Sequence, residues 1–142
     1  MIRLATEEEY PELVKWARKD KFIKSFASTS FRWGWKDNLY ILIQDNDIKG
    51  FIQFTICKRK SRASLYYMYI KPEERCKHYG EILFNFYLRK AKENNKAELY
   101  WKVYKNNTGA VEFYKKQGFT YSSQEIKDYI YITSFKNNTL LF

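Results

Sequence analysis

The chain has 142 residues, of which 45% are hydrophobic and 20% aromatic, which excludes a disordered chain and, with two cysteines, a small disulfide-held domain. No apolar segment reaches the roughly 18 residues of a membrane helix and residues 1–9 are not signal-like, so we expect one cytoplasmic domain over residues 1–142 with no membrane partner. The net charge of +10 favours binding of phosphate-bearing molecules, although biased codon usage can produce the same composition.

The first half of the chain predicts two helices followed by a hairpin. Residues 6–9 are typical of a helix N-terminus, and the apolar spacing after them predicts an amphipathic helix with Pro11 in its first turn. A shorter helix is predicted over residues 22–26 and a loop over 28–35. Strands over residues 39–43 and 50–57 are joined by the polar turn 44–47 and predict a hairpin.

The second half predicts strands and helices in alternation. A turn at residues 58–62 leads to a return strand over 63–70, which Pro72 ends because proline cannot donate to a ladder. A helix with two apolar stripes is predicted over 79–91, a strand over 98–104, and a helix over 108–117 that Gly118 closes. Two last strands are predicted over 119–122 and 129–135, and we find no repeats and no linker.

Residues 70–80 are the first segment with a chemical meaning. They form a strand end, a turn and a helix start, where unpaired backbone N–H groups and the helix dipole favour an anion such as pyrophosphate. Arg75 and Lys77 add positive charge, and Gly80 lets a ligand approach the backbone closely. The alternative is an ordinary helix start with incidental basic residues.

A second segment follows at residues 103–119. Together the two segments resemble motifs of the GNAT superfamily of acyl-CoA-dependent N-acetyltransferases. The first pattern, strand, Pro, Arg-Gly-x-Gly-x-Gly and helix, is met by Pro72, Arg75 and Gly80, whereas Cys76 and His78 replace its first two glycines. The second pattern, V-x-x-x-N-x-x-A-x-x-x-Y-x-x-x-G-F, is met without a gap by Val103, Asn107, Ala110, Tyr114, Gly118 and Phe119.

The resemblance covers essentially the whole chain and implies the fold class. The implied fold is an α/β domain with a mixed, strongly bent sheet flanked by helices. The strands that the family counts as fourth and fifth, here 63–70 and 98–104, would splay apart near Ile70 and Tyr104 and admit the pantetheine arm of acetyl-CoA. The cofactor-binding residues implied in this way are Met68, Ile70, Arg75, Cys76, Lys77, His78, Tyr79, Gly80, Asn107 and Tyr114.

The resemblance also implies the chemistry. An amine attacks the thioester directly, and Tyr114 stands where the family places the general acid that protonates the departing CoA thiolate. The alternative is that Tyr114 only packs with Phe113. The fourth strand carries no carboxylate and Glu98 is expected too far away, so the base acts through a water or is absent. One histidine and two distant cysteines predict no metal site.

The acceptor is the least determined part of the prediction. We expect a primary amine of a small molecule or peptide, with a pocket lined by Trp33, Trp35, Tyr67 and Tyr69, for which core packing is an equal alternative. Residues 57–142 hold 17 basic and 8 acidic residues, and their hairpin turn holds Lys58, Arg59, Lys60 and Arg62. Such a run is usually a solvated tip, but it can also contact nucleic-acid phosphates.

Two other functions therefore stay open beside the small amine. One is an enzyme that modifies nucleic acid, such as aminoacyl-tRNA or a DNA base. The other is a non-catalytic GNAT-like binding module, because side chains at Cys76 and His78 stand where glycines would let the backbone approach pyrophosphate. The oligomeric state is expected to be a monomer or a homodimer.

Overall fold

The computed structural model describes residues 1–59, 61–119, 125–126 and 129–135, and for the last two ranges it describes the backbone alone. The chain divides into two compact units. Unit 1 contains residues 1–54 and 66–87, and unit 2 contains residues 55–65 and 88–142. Lys60 and residues 120–122 of the predicted strand 119–122 lie outside the described residues.

The described helices and strands follow the predicted order, with an additional strand at the N-terminus and an additional short helix before the first predicted strand, and the last strand but one lies at Glu125–Ile126. They are β1 (Ile2–Leu4), α1 (Tyr10–Arg18), α2 (Phe26–Thr29), α3 (Trp35–Asn38), β2 (Leu39–Gln44), β3 (Asp47–Ile56), β4 (Arg62–Ile70), α4 (Tyr79–Glu93), β5 (Glu98–Tyr104), α5 (Thr108–Lys116), β6 (Glu125–Ile126) and β7 (Tyr129–Phe135). A turn of 3-10 helix, Pro72–Glu74, follows β4.

The strands form one mixed sheet in the order β1-β2-β3-β4-β5-β7-β6. Strands β4 and β5 are parallel, whereas β2 pairs antiparallel with β1 and β3, and β7 with β5 and β6. The parallel pairing joins Arg62–Ser64 to Glu98–Tyr100, and β4 then continues to Ile70 and β5 to Tyr104. This mixed sheet with helices confirms the predicted fold class, and the pairing ends earlier along β4 than we expected.

Local side-chain chemistry explains where α1 begins. The Glu9 N–H donates to Thr6 Oγ1 (3.3 Å), and the Thr6 N–H donates to Glu9 Oε1 (2.9 Å). These reciprocal bonds form a capping box over residues 6–9, in the turn that leads into α1, whereas Glu9, the residue directly before α1, makes no side-chain cap bond to the helix. The inward face of α1 joins the core of unit 1, in which the fully buried residues include Leu13, Ala17, Phe26, Leu39, Ile41 and Phe51.

Two details of unit 1 differ from the sequence prediction. The short helix predicted at residues 22–26 lies at Phe26–Thr29, because Asp20 Oδ1 accepts the N–H groups of Phe22 (2.8 Å) and Ile23 (3.2 Å) and holds a turn there. Within the predicted loop 28–35, Gly34 adopts φ 72° and starts a one-turn helix at Trp35. The first hairpin is confirmed, with positive φ at its two turn residues, Asp45 and Asn46.

Unit 2 has its own core around β5. Its buried side chains Leu99, Trp101 and Val103 alternate with less buried ones, as a strand covered on one face requires. The bounds of β5 and β7 are those predicted from the sequence. Within the described ranges, no helix combines the length and the apolar character that crossing a bilayer takes.

Candidate active site

The segment after β4 that the sequence predicts to bind pyrophosphate is residues 75–80, and we call it the phosphate loop. Cys76 and His78 adopt left-handed φ angles of 63° and 68°. The carbonyl of His78 accepts the first helical N–H of α4, from Ile82 (3.2 Å). The two residues that replace glycines of the family pattern therefore keep the conformation that glycine adopts most readily.

The loop leaves a run of backbone donors without protein acceptors. In the described part of the chain, the N–H groups of residues 76–80 donate to no carbonyl or side chain. They stand directly before and within the first turn of the 15-residue helix α4, where the helix dipole adds partial positive charge. This arrangement suits a phosphate or pyrophosphate group.

The two cationic side chains of the loop are held by neighbouring groups. Arg75 Nε donates to the Ile70 carbonyl (2.9 Å), and its Nη2 lies 3.5 Å from Asp20 Oδ2. Lys77 Nζ lies 3.2 Å from Glu74 Oε2. These contacts leave the backbone amides as the main anion-binding groups, with the two cations as a surrounding positive field.

His78 directs its side chain into solvent. Its ring is 84% exposed, and its Nδ1 lies 2.8 Å from Glu81 Oε2 one turn along α4. The side chain therefore points away from the core, and its contact is with the helix surface.

A group of charged side chains forms ion pairs next to the phosphate loop. Lys49 is almost buried and contacts Asp47 (3.2 Å) and Glu74 (3.3 Å), while Lys71 Nζ lies 3.1 Å from Asp47. Lys77 and then Lys49 lower the pKa of the Glu74 carboxyl, and Lys71 and then Lys49 lower the pKa of Asp47. Although burial opposes its charge, these carboxylates raise the pKa of Lys49. The start of β3 is thereby joined to the 3-10 turn that precedes the loop.

The last residues of β4 present backbone groups away from β3. The Lys71 N–H donates to the Lys49 carbonyl of β3 (3.0 Å). Because backbone groups alternate between the two edges of a strand, those of Met68 and Ile70 point to the opposite edge. Both residues lie beyond Ser64, where the pairing with β5 ends.

The second motif is explained in part by the two ends of α5. Asn107 is its N-cap, and Asn107 Oδ1 accepts the Ala110 N–H (3.2 Å). At the other end Gly118 has φ 93°, and the Phe119 N–H donates to the Tyr114 carbonyl (3.0 Å). This is the pattern of a Schellman cap, so the spacing Asn, Gly and Phe specifies where α5 begins and ends.

Tyr114 is buried in unit 2, with 7% of its surface exposed. Its ring lies 5.2 Å from that of Trp101 and 5.3 Å from that of Phe113. Burial raises the pKa of the Tyr114 hydroxyl above the ordinary value of 10.0. The hydroxyl therefore keeps its proton at neutral pH.

The four predicted acceptor residues fall into two groups. Trp35 and Tyr69 are core residues with 4% and 7% exposed, and Trp35 stacks on Tyr10 with ring centroids 4.2 Å apart. Tyr67 is half-buried, and its hydroxyl bonds to Ser25 Oγ (2.7 Å) and to Thr29 Oγ1. Core packing, the alternative that the sequence left open, thus accounts for Trp35 and Tyr69.

Trp33 is the most exposed of the four and stacks on a residue that sequence reasoning missed. Its ring lies 4.6 Å from that of Tyr66 with 9° between the planes, and Trp33 is 43% exposed. Tyr66 and its neighbour Tyr67 both contact the segment 26–33, whereas strict alternation places neighbours on opposite faces. No sequence signal places the segment 26–33 in contact with both residues.

Comparison with known proteins decides the family. A family model described as the acetyltransferase (GNAT) family matches residues 3–119. The chain belongs to the acetyltransferase (GNAT) family. The phosphate loop and the capped α5 of this GNAT protein both lie within the matched residues. No curated protein sequence matches the chain.

Solved structures share the fold of this GNAT protein. The PaiA N-acetyltransferase from Thermoplasma acidophilum, in complex with coenzyme A, has a TM-score of 0.75 and 20% identity over 95% of this chain and 98% of that chain. The ribosomal-protein-alanine N-acetyltransferase from Brucella melitensis has a TM-score of 0.72 and 14% identity, over 95% and 99%. N-acetylglutamate synthase from Neisseria gonorrhoeae, complexed with coenzyme A and N-acetyl-glutamate, has a TM-score of 0.73 and 15% identity, over 95% and 34%. At these identities the likeness shows the fold.

Among the described residues, no group of three His, Cys, Asp or Glu side chains has the geometry of a metal site.

Proposed function

We propose that the protein is an N-acetyltransferase that uses acetyl-CoA and acts on a primary amine of a small molecule or peptide. The observation that carries the proposal is the run of N–H groups at residues 76–80, directly at the start of α4, for which the described residues provide no acceptor. The family match supports acetyltransferase activity, and two of the structural neighbours were solved with coenzyme A.

The residues of the phosphate loop fit the phosphates of the cofactor. The N–H groups of residues 76–80 would bind the pyrophosphate, with Arg75 and Lys77 adding positive charge around it. The edge groups of Met68 and the N–H of Ile70 would bind the amide-bearing arm, as an added strand binds a sheet edge, while the Ile70 carbonyl accepts from Arg75. When bound, acetyl-CoA supplies an acyl group activated as a thioester.

Tyr114 is our candidate for the proton donor. Because burial keeps its hydroxyl protonated, the side chain would donate a hydrogen bond to the sulfur as the carbon–sulfur bond breaks. A thiol of ordinary acidity has a pKa of about 8.5, well below that of a buried tyrosine. Hydrogen-bond donation to the departing sulfur, with the proton moving late, therefore fits this side chain better than an early full transfer.

The acceptor amine must be neutral to react, and β4 carries no carboxylate that could accept its proton. Glu98 at the start of β5 lies 4.0 Å from the Arg62 guanidinium. An α-amino group has a pKa of about 7.7–8.0 and is partly neutral at physiological pH, whereas a lysine amine, at about 10.4, is not. We therefore place α-amines of amino acids or peptides ahead of lysine side chains.

The acceptor would approach the aromatic pair of Trp33 and Tyr66. Phe31, 70% exposed, lies two residues before Trp33, and the Tyr67 hydroxyl adds a polar group next to Tyr66. Aromatic faces of this kind bind apolar groups and, in the right geometry, cations. Two structural neighbours are named ribosomal-protein-alanine N-acetyltransferase and N-acetylglutamate synthase, and these names support the proposal that the acceptor is an amine.

Cofactor binding is tested by thermal denaturation with CoA, acetyl-CoA and pantetheine. At about 100 times its dissociation constant, a ligand stabilises the native state by roughly 2.7 kcal/mol. We expect CoA and acetyl-CoA to raise the Tm and pantetheine, which lacks the pyrophosphate, to do so only at far higher concentration. An equal response to pantetheine and CoA would contradict anion binding by residues 76–80.

The role of Tyr114 is tested by Tyr114→Phe, with Tyr87→Phe as the control because Tyr87 is also a buried tyrosine on a helix. General acid catalysis contributes roughly 10²–10⁴ to a rate. We expect Tyr114→Phe to lower kcat by about 100-fold with little change in CoA affinity, and Tyr87→Phe to keep kcat. An unchanged kcat in Tyr114→Phe would assign the proton to another group.

Catalysis itself is tested by release of free CoA from acetyl-CoA in the presence of single amines. The panel contains amino acids, an alanyl peptide, a peptide with a blocked N-terminus and an internal lysine, and a polyamine. We expect kcat/KM for α-amines to rise with pH through the acceptor's own pKa. CoA binding without turnover of any amine would favour the non-catalytic binding module.

A further inference from the structure

The positive charge of the chain is concentrated in unit 2. This unit holds 14 Lys and Arg against 5 Asp and Glu, a net charge of +9. Unit 1 holds 12 against 11, a net charge of +1, although it contains the phosphate loop. The phosphate loop therefore does not account for the excess, and the positive field of unit 2 favours polyanionic ligands.

The second hairpin turn is one centre of this charge. The Ser61 carbonyl, directly before β4, accepts the N–H groups of Ala97 (2.8 Å) and Glu98 (3.1 Å) at the start of β5. Lys58 and Arg59 are both exposed.

Arg62 places a further positive charge against the face of β5. Its guanidinium lies 4.4 Å from the centre of the Tyr100 ring, and 42% of its side chain is exposed. Glu98 lies 4.0 Å away, a distance at which an ion pair is weak. Lys102 is exposed on the same face of β5, two residues beyond Tyr100. The stacked guanidinium offers a planar, charged surface beside further cations.

We propose that Lys58, Arg59, Arg62, Tyr100 and Lys102, the basic surface, bind single-stranded nucleic acid. Cationic side chains would contact successive phosphates, and an unpaired base would stack on the Arg62 guanidinium above Tyr100. An acidic protein could also pair with the positive charges, but it offers no base to stack on the exposed guanidinium plane of Arg62. This proposal is independent of the acetyltransferase proposal, since it concerns residues outside the phosphate loop.

The test is fluorescence anisotropy with a labelled oligouridylate of about 20 nucleotides and with a duplex RNA of the same length. Each phosphate contact on a single strand contributes about −0.7 to the slope of log affinity against log salt. With four contacts, affinity should fall roughly 50-fold between about 50 and 200 mM salt. No binding of oligouridylate at about 50 mM salt, or tighter binding of the duplex, would overturn the proposal.

Variants separate the basic surface from non-specific charge. Lys58→Ala/Arg59→Ala should reduce the salt slope to about half, so that affinity falls roughly 7-fold over the same range. Lys15→Ala/Arg18→Ala removes two exposed cations of α1 in unit 1 and should leave the slope unchanged. Equal losses in the two pairs would contradict a localised surface.

The stacking contact has its own variant. Tyr100→Leu removes the ring beneath Arg62 and should weaken oligouridylate binding by about tenfold without changing the salt slope. CoA-induced stabilisation, measured on the same variants, should be retained in all of them. If Tyr100→Leu bound oligouridylate with the affinity of the wild type, base stacking on Arg62 would be contradicted, and with it the proposed binding of single-stranded nucleic acid.

Discussion

Exchanging glycine and alanine at residues 76–78 tests the backbone conformation of the phosphate loop. Cys76 and His78 have φ angles of 63° and 68°, whereas Lys77 between them does not have a positive φ. The comparison is made between the Gly and Ala variants at each position. Both variants lack the native side chain, so the loss of its contacts cancels in the difference.

The expected differences change sign along the loop. A left-handed conformation costs a residue with a Cβ roughly 1–2 kcal/mol, whereas glycine loses roughly 0.5–1 kcal/mol through its greater freedom in the unfolded chain. At Cys76 and at His78 the Gly variant should therefore be more stable than the Ala variant, by about 0.5–1 kcal/mol at each. At Lys77 the order should reverse by a similar amount.

Urea unfolding measures these differences. With an m-value of about 2 kcal/mol/M, the double variant Cys76→Gly/His78→Gly should unfold about 0.5–1 M higher in urea than Cys76→Ala/His78→Ala. The m-value should be unchanged, since the exposed surface is the same. Ala variants as stable as the Gly variants at both positions would refute the left-handed assignment.

Two further predictions concern packing and pH. A Cβ on Gly50 would lie 2.6 Å from Ile70 Cδ1 and 3.1 Å from its Cα, so Gly50→Ala should cost about 3 kcal/mol in urea unfolding and weaken CoA binding. Gly109→Ala, which meets open space in helix α5, should instead stabilise by about 0.5–1 kcal/mol, and a loss of stability there would contradict its position. Paired hydrogen bonds from Arg3 lower the pKa of Glu9 to about 2 despite its partial burial. The contribution of Glu9 is therefore present above about pH 4.5 and is lost as the pH falls towards 2. Glu9→Gln should cost about 1–2 kcal/mol at pH 7 and nearly nothing at pH 2, and a constant difference across this range would contradict the ion pair.

Local signals in the sequence determined most of the elements. The bounds of β5 and β7 follow from alternating apolar residues, and α5 is delimited by Asn107 and by Gly118, which cap its two ends. The capping box before α1 likewise depends on two residues, Thr6 and Glu9, that are three positions apart. These features were predictable because each depends on side chains a few positions apart, whose effect on the backbone does not require the rest of the fold.

Other features were decided by the tertiary structure. Strand β1 has three residues and no periodicity of its own, and its pairing of Ile2 with Leu42 is what makes it a strand. Tyr66 became part of the aromatic pair only because the fold brings Trp33, which is distant in the chain, against its ring. The sequence also named Cys76 and His78 as departures from a glycine pattern but could not tell whether the loop would keep its shape. That outcome depends on the balance between about 1–2 kcal/mol of backbone strain at each residue and the contacts that hold the loop ends, such as those of Arg75 and Glu74, which exist only when distant segments have come together.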